Sequence, residues 1–127
     1  MAKTKRKRLT LNKLFKLTAE FFGRKKLSDW EEVSYKGSDW ITEIGADSFW
    51  FTLLDAMGEA QVEEALEITV EKNNIFVIPL SPKPKVMQLA NDLLSFYHSK
   101  GLNAFISDEE IGGLDIEEFN KVEKIKL

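Results

Sequence analysis

Residues 66–80 read LEITVEKNNIFVIPL, and the fold turns on how this stretch divides. Leu66, Ile68 and Val70 alternate with Glu67, Thr69 and Glu71, which is the period of a half-buried strand. Asn73-Asn74 stands between Lys72 and Ile75 as a two-residue turn, because asparagine tolerates a positive φ. IFVIPL is apolar on both faces and predicts an interior strand, with Pro79 near its end. The pair reads as a β-hairpin.

Downstream, Ser81-Pro82 predicts a helix start, with serine as the cap and proline in the first position. Val86, Leu89, Ala90, Leu93, Leu94 and Tyr97 form its apolar stripe, and Gly101 closes it. Leu102 to Ser107 resumes a strand. A strand–helix–strand unit from Ile75 to Ser107 implies parallel pairing through a right-handed crossover. An acidic loop, SDEEIGGLDIEE, then leads to FNKVEKIKL, expected as an edge strand whose lysines discourage unwanted pairing.

Upstream lie three short runs rich in aromatic and β-branched residues: Val33 to Tyr35, Trp40 to Ile44 and Phe49 to Leu54. The turn-forming stretches 36–39 and 45–48 separate them, so they predict a β-meander. Phe49 to Leu54 fits a buried helix nearly as well. Ser28 and Glu31 have capping-box spacing and suggest a single helical turn, as does the run Gln61 to Ala65. Leu11, Leu14, Phe15, Thr18, Phe21 and Phe22 recur at helical spacing between a Thr10 cap and Gly23. The expected organisation is a disordered basic tail over residues 1–8 and one α+β domain over 9–127. That domain has an N-terminal amphipathic helix, an antiparallel meander and a hairpin–helix–strand unit in one mixed sheet.

Composition narrows the chemistry. A chain of 127 residues, 43% hydrophobic, suits one domain that buries roughly two-thirds of the surface its unfolded form exposes. It has no cysteine, which excludes disulfides, thiolate metal sites and thiol nucleophiles. A single histidine, His98, excludes any site needing two imidazoles, and it reads as a helix-end or surface residue. No apolar run approaches the ~18 residues of a membrane span, and no signal-peptide core follows the basic start. The acidic loop fails the EF-hand pattern: counted from Asp108, position five is Gly112 and position twelve is Phe119. Adjacent carboxylates such as Glu63 and Glu64 point apart on a regular element and define no acid–base pair. There is no glycine-rich phosphate loop. No catalytic residue, metal ligand or cofactor is expected.

The net charge of −3 conceals a division. Residues 1–26 hold ten basic groups, Lys3, Lys5, Arg6, Lys7, Arg8, Lys13, Lys16, Arg24, Lys25 and Lys26, against Glu20 alone. The rest of the chain holds eight basic groups and twenty acids. The basic arm is a candidate for weak, salt-sensitive, sequence-independent binding of nucleic acid. Alternatively it folds back on the acidic body. Ser81, Lys83 and Lys85 form a candidate anion site, since lysines in a first turn oppose the helix dipole. The phenylalanines of the first helix are expected in the core. Trp30, Trp40 and Trp50 are expected there too, with a partner-binding hot spot as the alternative.

These features predict a small non-catalytic binding or adaptor protein of the cytoplasm, or of the nucleus in a eukaryotic cell. Its basic arm would contact nucleic acid, or an assembly bound to it, while the body contacts protein. The alternative is an acidic inhibitor or immunity-type protein, in effect a nucleic-acid mimic, that binds the basic surface of a partner.

Overall fold

The computed structural model describes residues 8–107. The sequence readings for 1–7 and 108–127, including the acidic loop and the final edge strand, lie outside them. Two helices, α1 (Leu11–Phe21) and α2 (Pro84–Ser99), accompany six strands: β1 (Glu32–Tyr35), β2 (Ser38–Ile44), β3 (Ser48–Leu54), β4 (Ala60–Glu71), β5 (Asn74–Pro79) and β6 (Asn103–Ile106). The strands form one sheet in chain order, β1-β2-β3-β4-β5-β6. All neighbours are antiparallel except β5 and β6, which α2 joins in parallel. This is the α+β mixed sheet that the sequence predicts.

The Phe49–Leu54 ambiguity resolves to a strand, because Phe49, Phe51 and Leu53 alternate inward between two antiparallel neighbours. The hairpin turn falls one residue earlier than expected. Glu71 pairs with Asn74, leaving Lys72 (φ 52°) and Asn73 (φ 67°) as the turn. Two positive φ angles in succession make a type I′ turn, which matches the strands' twist. Gln61 to Ala65 is strand, not helix, since β4 continues through it to pair Ala60 with Leu54. The register of β3 against β4 shifts between Thr52 and Leu54, where β4 carries additional residues.

The second helix starts at Pro84 with Lys83 as its cap, two residues later than predicted. Ser81 Oγ instead accepts the Lys83 N–H at 3.1 Å, turning the chain before the helix begins. The helix still has proline in its first turn. Nor does a helical turn form at Ser28–Glu31. Glu31 accepts the Ser28 N–H at 2.7 Å, but the backbone pairs with β2 instead.

Both helices end in the same way. Gly23 (φ 71°) donates to Glu20 O and Arg24 to Ala19 O; Gly101 (φ 77°) donates to His98 O and Leu102 to Tyr97 O. These are Schellman closures, each needing a left-handed residue just past the helix. Thr10 caps α1 by accepting the Lys13 N–H at 3.1 Å.

One face of the sheet carries the core. Phe49, Phe51, Leu66, Ile68, Ile75 and Val77 meet Leu14 and Phe15 of α1 and Val86, Leu89, Leu93 and Tyr97 of α2. Phe15 lies 5.0 Å from Phe49, and Phe22 5.2 Å from Phe51, ring centre to ring centre. Phe15 is therefore a core residue, as expected, and Phe21 and Phe22 pack half-buried against the core. Thr18 ties the helices together beneath this layer: its hydroxyl donates to Leu14 O at 2.7 Å, so it accepts from the Tyr97 hydroxyl at 2.8 Å.

Candidate interaction surface

The opposite face of the sheet receives neither described helix. Side chains alternate along a strand, so the residues between the core positions must point this way. They include Ile41 and Glu43 of β2, Trp50 and Thr52 of β3, and Ala65 and Glu67 of β4. Trp30, Ile41, Glu43, Trp50, Thr52, Ala60, Val62, Ala65 and Leu80 line a hollow of about 300 Å³ at its β2–β4 end. Trp30 is 62% exposed and Val62 is 76% exposed.

Three local devices build this hollow. The first is a bulge. Trp30 N–H donates to Thr42 O at 2.8 Å while Thr42 N–H donates to Glu31 O at 2.8 Å, so two residues face one. The buried Thr42 hydroxyl clamps the bulge, donating to Ser28 O at 2.5 Å and accepting the Glu31 N–H at 2.9 Å. Trp30 has φ 59°, which for a bulky side chain is strained by about 1–3 kcal/mol. The strain brings an indole to the rim of an apolar hollow instead of into the core.

The second device is Gly45. A Cβ there would meet the Trp50 ring at 3.2 Å, so glycine lets Trp50 lie flat against the β2–β3 turn. The third is the additional length in β4, which carries Ala60 and Val62 out to the hollow's edge.

The tryptophans thus divide. Trp40 is buried in the core, Trp50 is half-buried and Trp30 is mostly exposed. The expectation of three core tryptophans holds for one of them. The reason is local: Trp40 sits at a core-facing position of β2, Trp50 at a far-facing position of β3, and Trp30 in a bulge.

Acids outnumber bases along the strands that build this face. Residues 29–71, which include β1 to β4, contain twelve acids and one base, Lys36. Glu43 lines the hollow, and Glu67 pairs with Trp50 across the ladder. Lys36 is committed elsewhere: it meets Asp92 of α2 at 3.2 Å, and the Tyr35 hydroxyl donates to the same carboxylate. The Tyr35 hydrogen bond holds the Asp92 carboxyl below its ordinary value; burial, the next-largest influence, works the other way, and Lys36 adds to the lowering.

The basic candidates do not assemble into one site. Lys3, Lys5, Arg6 and Lys7 lie outside the described residues. Arg8 is exposed, and its carbonyl accepts from Lys13 Nζ at 3.1 Å. Arg24 forms an ion pair with Glu31 and donates to Glu32 O at 3.2 Å, so this member of the arm does fold onto the acidic body. Lys16, Lys25 and Lys26 are exposed. The anion-site candidates do come together: Lys83 and Lys85 border a hollow of about 360 Å³, with Ser81 in the turn before them. Glu64 lies in that hollow as well, 3.1 Å from Lys83 Nζ, so a carboxylate already meets the lysine charge.

His98 Nε2 lies 2.8 Å from Ala104 O, joining the end of α2 to β6, which is a structural position. Among the described residues no cluster of histidine or acidic side chains could hold a metal ion. No helix among them is long and apolar enough to cross a membrane. Comparison with protein-family models, with curated proteins and with solved structures gives no match.

Sequence reading missed the Trp30–Trp50–Val62 hollow because its three parts come from a bulge, a turn and a register shift. The signal in the sequence is the hot-spot alternative for Trp30 and Trp50, while the capping-box spacing of Ser28 and Glu31 points to a helical turn where the bulge forms.

Proposed function

We propose that this chain is a protein-binding module that takes an extended or helical segment of a basic partner in the Trp30–Trp50 hollow. The observation that carries this reading is an exposed tryptophan, held in a strained backbone, at an apolar hollow within an acidic surface. Tryptophan is enriched at the centres of interfaces because one ring buries much apolar area at little entropic cost. Acids around it favour lysine- and arginine-bearing partners, speed their approach and exclude acidic ones. This reading develops the inhibitor-type alternative, with the hollow as its proposed contact.

The test separates binding from stability. The probe is a synthetic peptide of alternating leucine and lysine, with a leucine–glutamate peptide as control, followed by tryptophan fluorescence. The lysine peptide should bind, more weakly as salt rises, and the glutamate peptide should not. Trp30→Gly should reduce binding at least tenfold while leaving thermal stability unchanged or raised, since glycine relieves about 1 kcal/mol of left-handed strain. A variant that binds normally, or loses binding only because it unfolds, contradicts the reading.

A second reading rests on Lys16, Lys25 and Lys26, which are exposed members of the basic arm. In it the arm contacts nucleic acid while the hollow holds protein. Fluorescence anisotropy with labelled duplex DNA and single-stranded RNA would then show binding that falls steeply with salt. Removing residues 1–8 should abolish it; equal binding by both forms, or none, would end this reading.

A further inference from the structure

The approach to α1 is tied to the β4–β5 turn, where Leu9 N–H donates to Asn73 Oδ1 at 2.8 Å. Between them lies a hollow of about 310 Å³ lined by Arg8, Lys72 and Asn73 among others, and no acid stands among its lining residues. Lys13 Nζ donates to Arg8 O at 3.1 Å, which brings a third cation beside it. Glu71 alternates to the other face of β4 from Val70, which lines the hollow. The other basic clusters differ. Arg24, Lys36, Lys83 and Lys100 each meet a carboxylate, whereas Arg8, Lys13 and Lys72 form no ion pair among the described residues. Asn73 uses its oxygen on Leu9, so its amide nitrogen has two N–H groups to offer.

From this we infer that the Arg8–Lys72 hollow holds a phosphate group of a nucleic-acid backbone, with Arg8, Lys13 and Lys72 as its cations and Asn73 as a neutral donor. The inference rests on the reading in which the basic arm contacts nucleic acid, and it gives that contact a place on the folded body. Composition favours phosphate over an acidic protein segment. Arg8 is the last of five basic residues in six, Lys3, Lys5, Arg6, Lys7 and Arg8, with Thr4 between the first two and no apolar side chain in the run. A phosphate backbone is held by closely spaced charges and N–H donors alone. A protein partner is held chiefly at an apolar, aromatic-rich centre, which this run lacks.

The test uses the full chain and labelled single-stranded RNA and duplex DNA, followed by fluorescence anisotropy over a range of salt. Lys72→Asn removes a charge and keeps the turn, because asparagine accepts the φ of 52°. At ~0.1 M salt, Lys72→Asn and Lys13→Gln should each weaken binding about five- to tenfold and lower the slope of log affinity against log salt by about one. Lys100→Gln makes the same change in net charge at the exposed pair with Glu20, at the other end of α1, and should leave both quantities nearly unchanged. In NMR spectra of the unaltered chain the RNA should shift the amide signals of Leu9, Lys72 and Asn73. Equal losses in Lys72→Asn and Lys100→Gln would reduce the effect to net charge and overturn the hollow, while the arm reading stands. No binding by the unaltered chain would end both. Inorganic phosphate that shifts the same signals without competition from RNA would assign the hollow to a free anion and overturn the inference. Poly-glutamate that binds as tightly as RNA would assign it to an acidic protein and overturn it too.

Discussion

Replacing Phe49 by alanine is expected to cost about 3–5 kcal/mol, the range for emptying a buried phenylalanine site. Phe49 is fully buried where α1 crosses the sheet, packed on Phe15 and on Phe51 5.8 Å away, and laddered to Ile44 and Ile68. Its neighbours are held by backbone pairing on both sides, so the space cannot collapse. A domain of this size has about 5–15 kcal/mol in total, so the variant should lie near the edge of folding. Met57→Ala, at a position 83% exposed in the β3–β4 loop, should change stability by less than about 0.5 kcal/mol. Urea unfolding of both variants checks this. A small loss at Phe49 would mean that the core is not where the two helices and the sheet place it.

The Thr18–Tyr97 pair gives the second large effect. Thr18→Val keeps the shape but leaves the buried Tyr97 hydroxyl with no acceptor, and should cost about 1–3 kcal/mol. Tyr97→Phe removes the stranded group, so the double variant should lose less than the two single losses combined. The same residue sets an alkaline limit. Burial raises the Tyr97 pKa above its ordinary 10.0, and the Thr18 hydrogen bond offsets this only in part. A raised folded-state value means that the neutral tyrosine's contribution is fully present below pH ~10. Above that the unfolded chain releases the proton and the folded one holds it, so stability falls with a slope approaching ~1.4 kcal/mol per pH unit. Tyr97→Phe should remove that part of the slope in unfolding curves taken from pH 9 to 11. An unchanged slope would show that Tyr97 ionises freely.

Much of the fold was legible because several signals coincided. Leu66 to Val70 alternates, IFVIPL is apolar throughout, and the α2 stripe ends at a glycine; each restricts the others to one sheet with one parallel crossover. Boundaries were less legible where a local hydrogen bond competes with a longer-range one. Ser28 and Glu31 satisfy half of a capping box, but pairing with Thr42 wins and makes a bulge. Ser81 looks like a helix cap and instead shapes the turn before Lys83. At Gln61 to Ala65 the partner strand decides, and a strand edge carries no helical or strand period of its own while its register is shifting. The charge division was plain in composition, but which acids surround an apolar hollow depends on cross-strand register, and no local pattern encodes that.

The most direct test of the central claim is a residue-by-residue NMR titration of the full chain with the leucine–lysine peptide. The account predicts shifts confined to Trp30, Ile41, Glu43, Trp50, Thr52 and Val62, including both far-face indole N–H signals, and absent in Trp30→Gly. Shifts centred instead on α1, on the Lys83–Lys85 turn, or spread evenly over the acidic surface would contradict it.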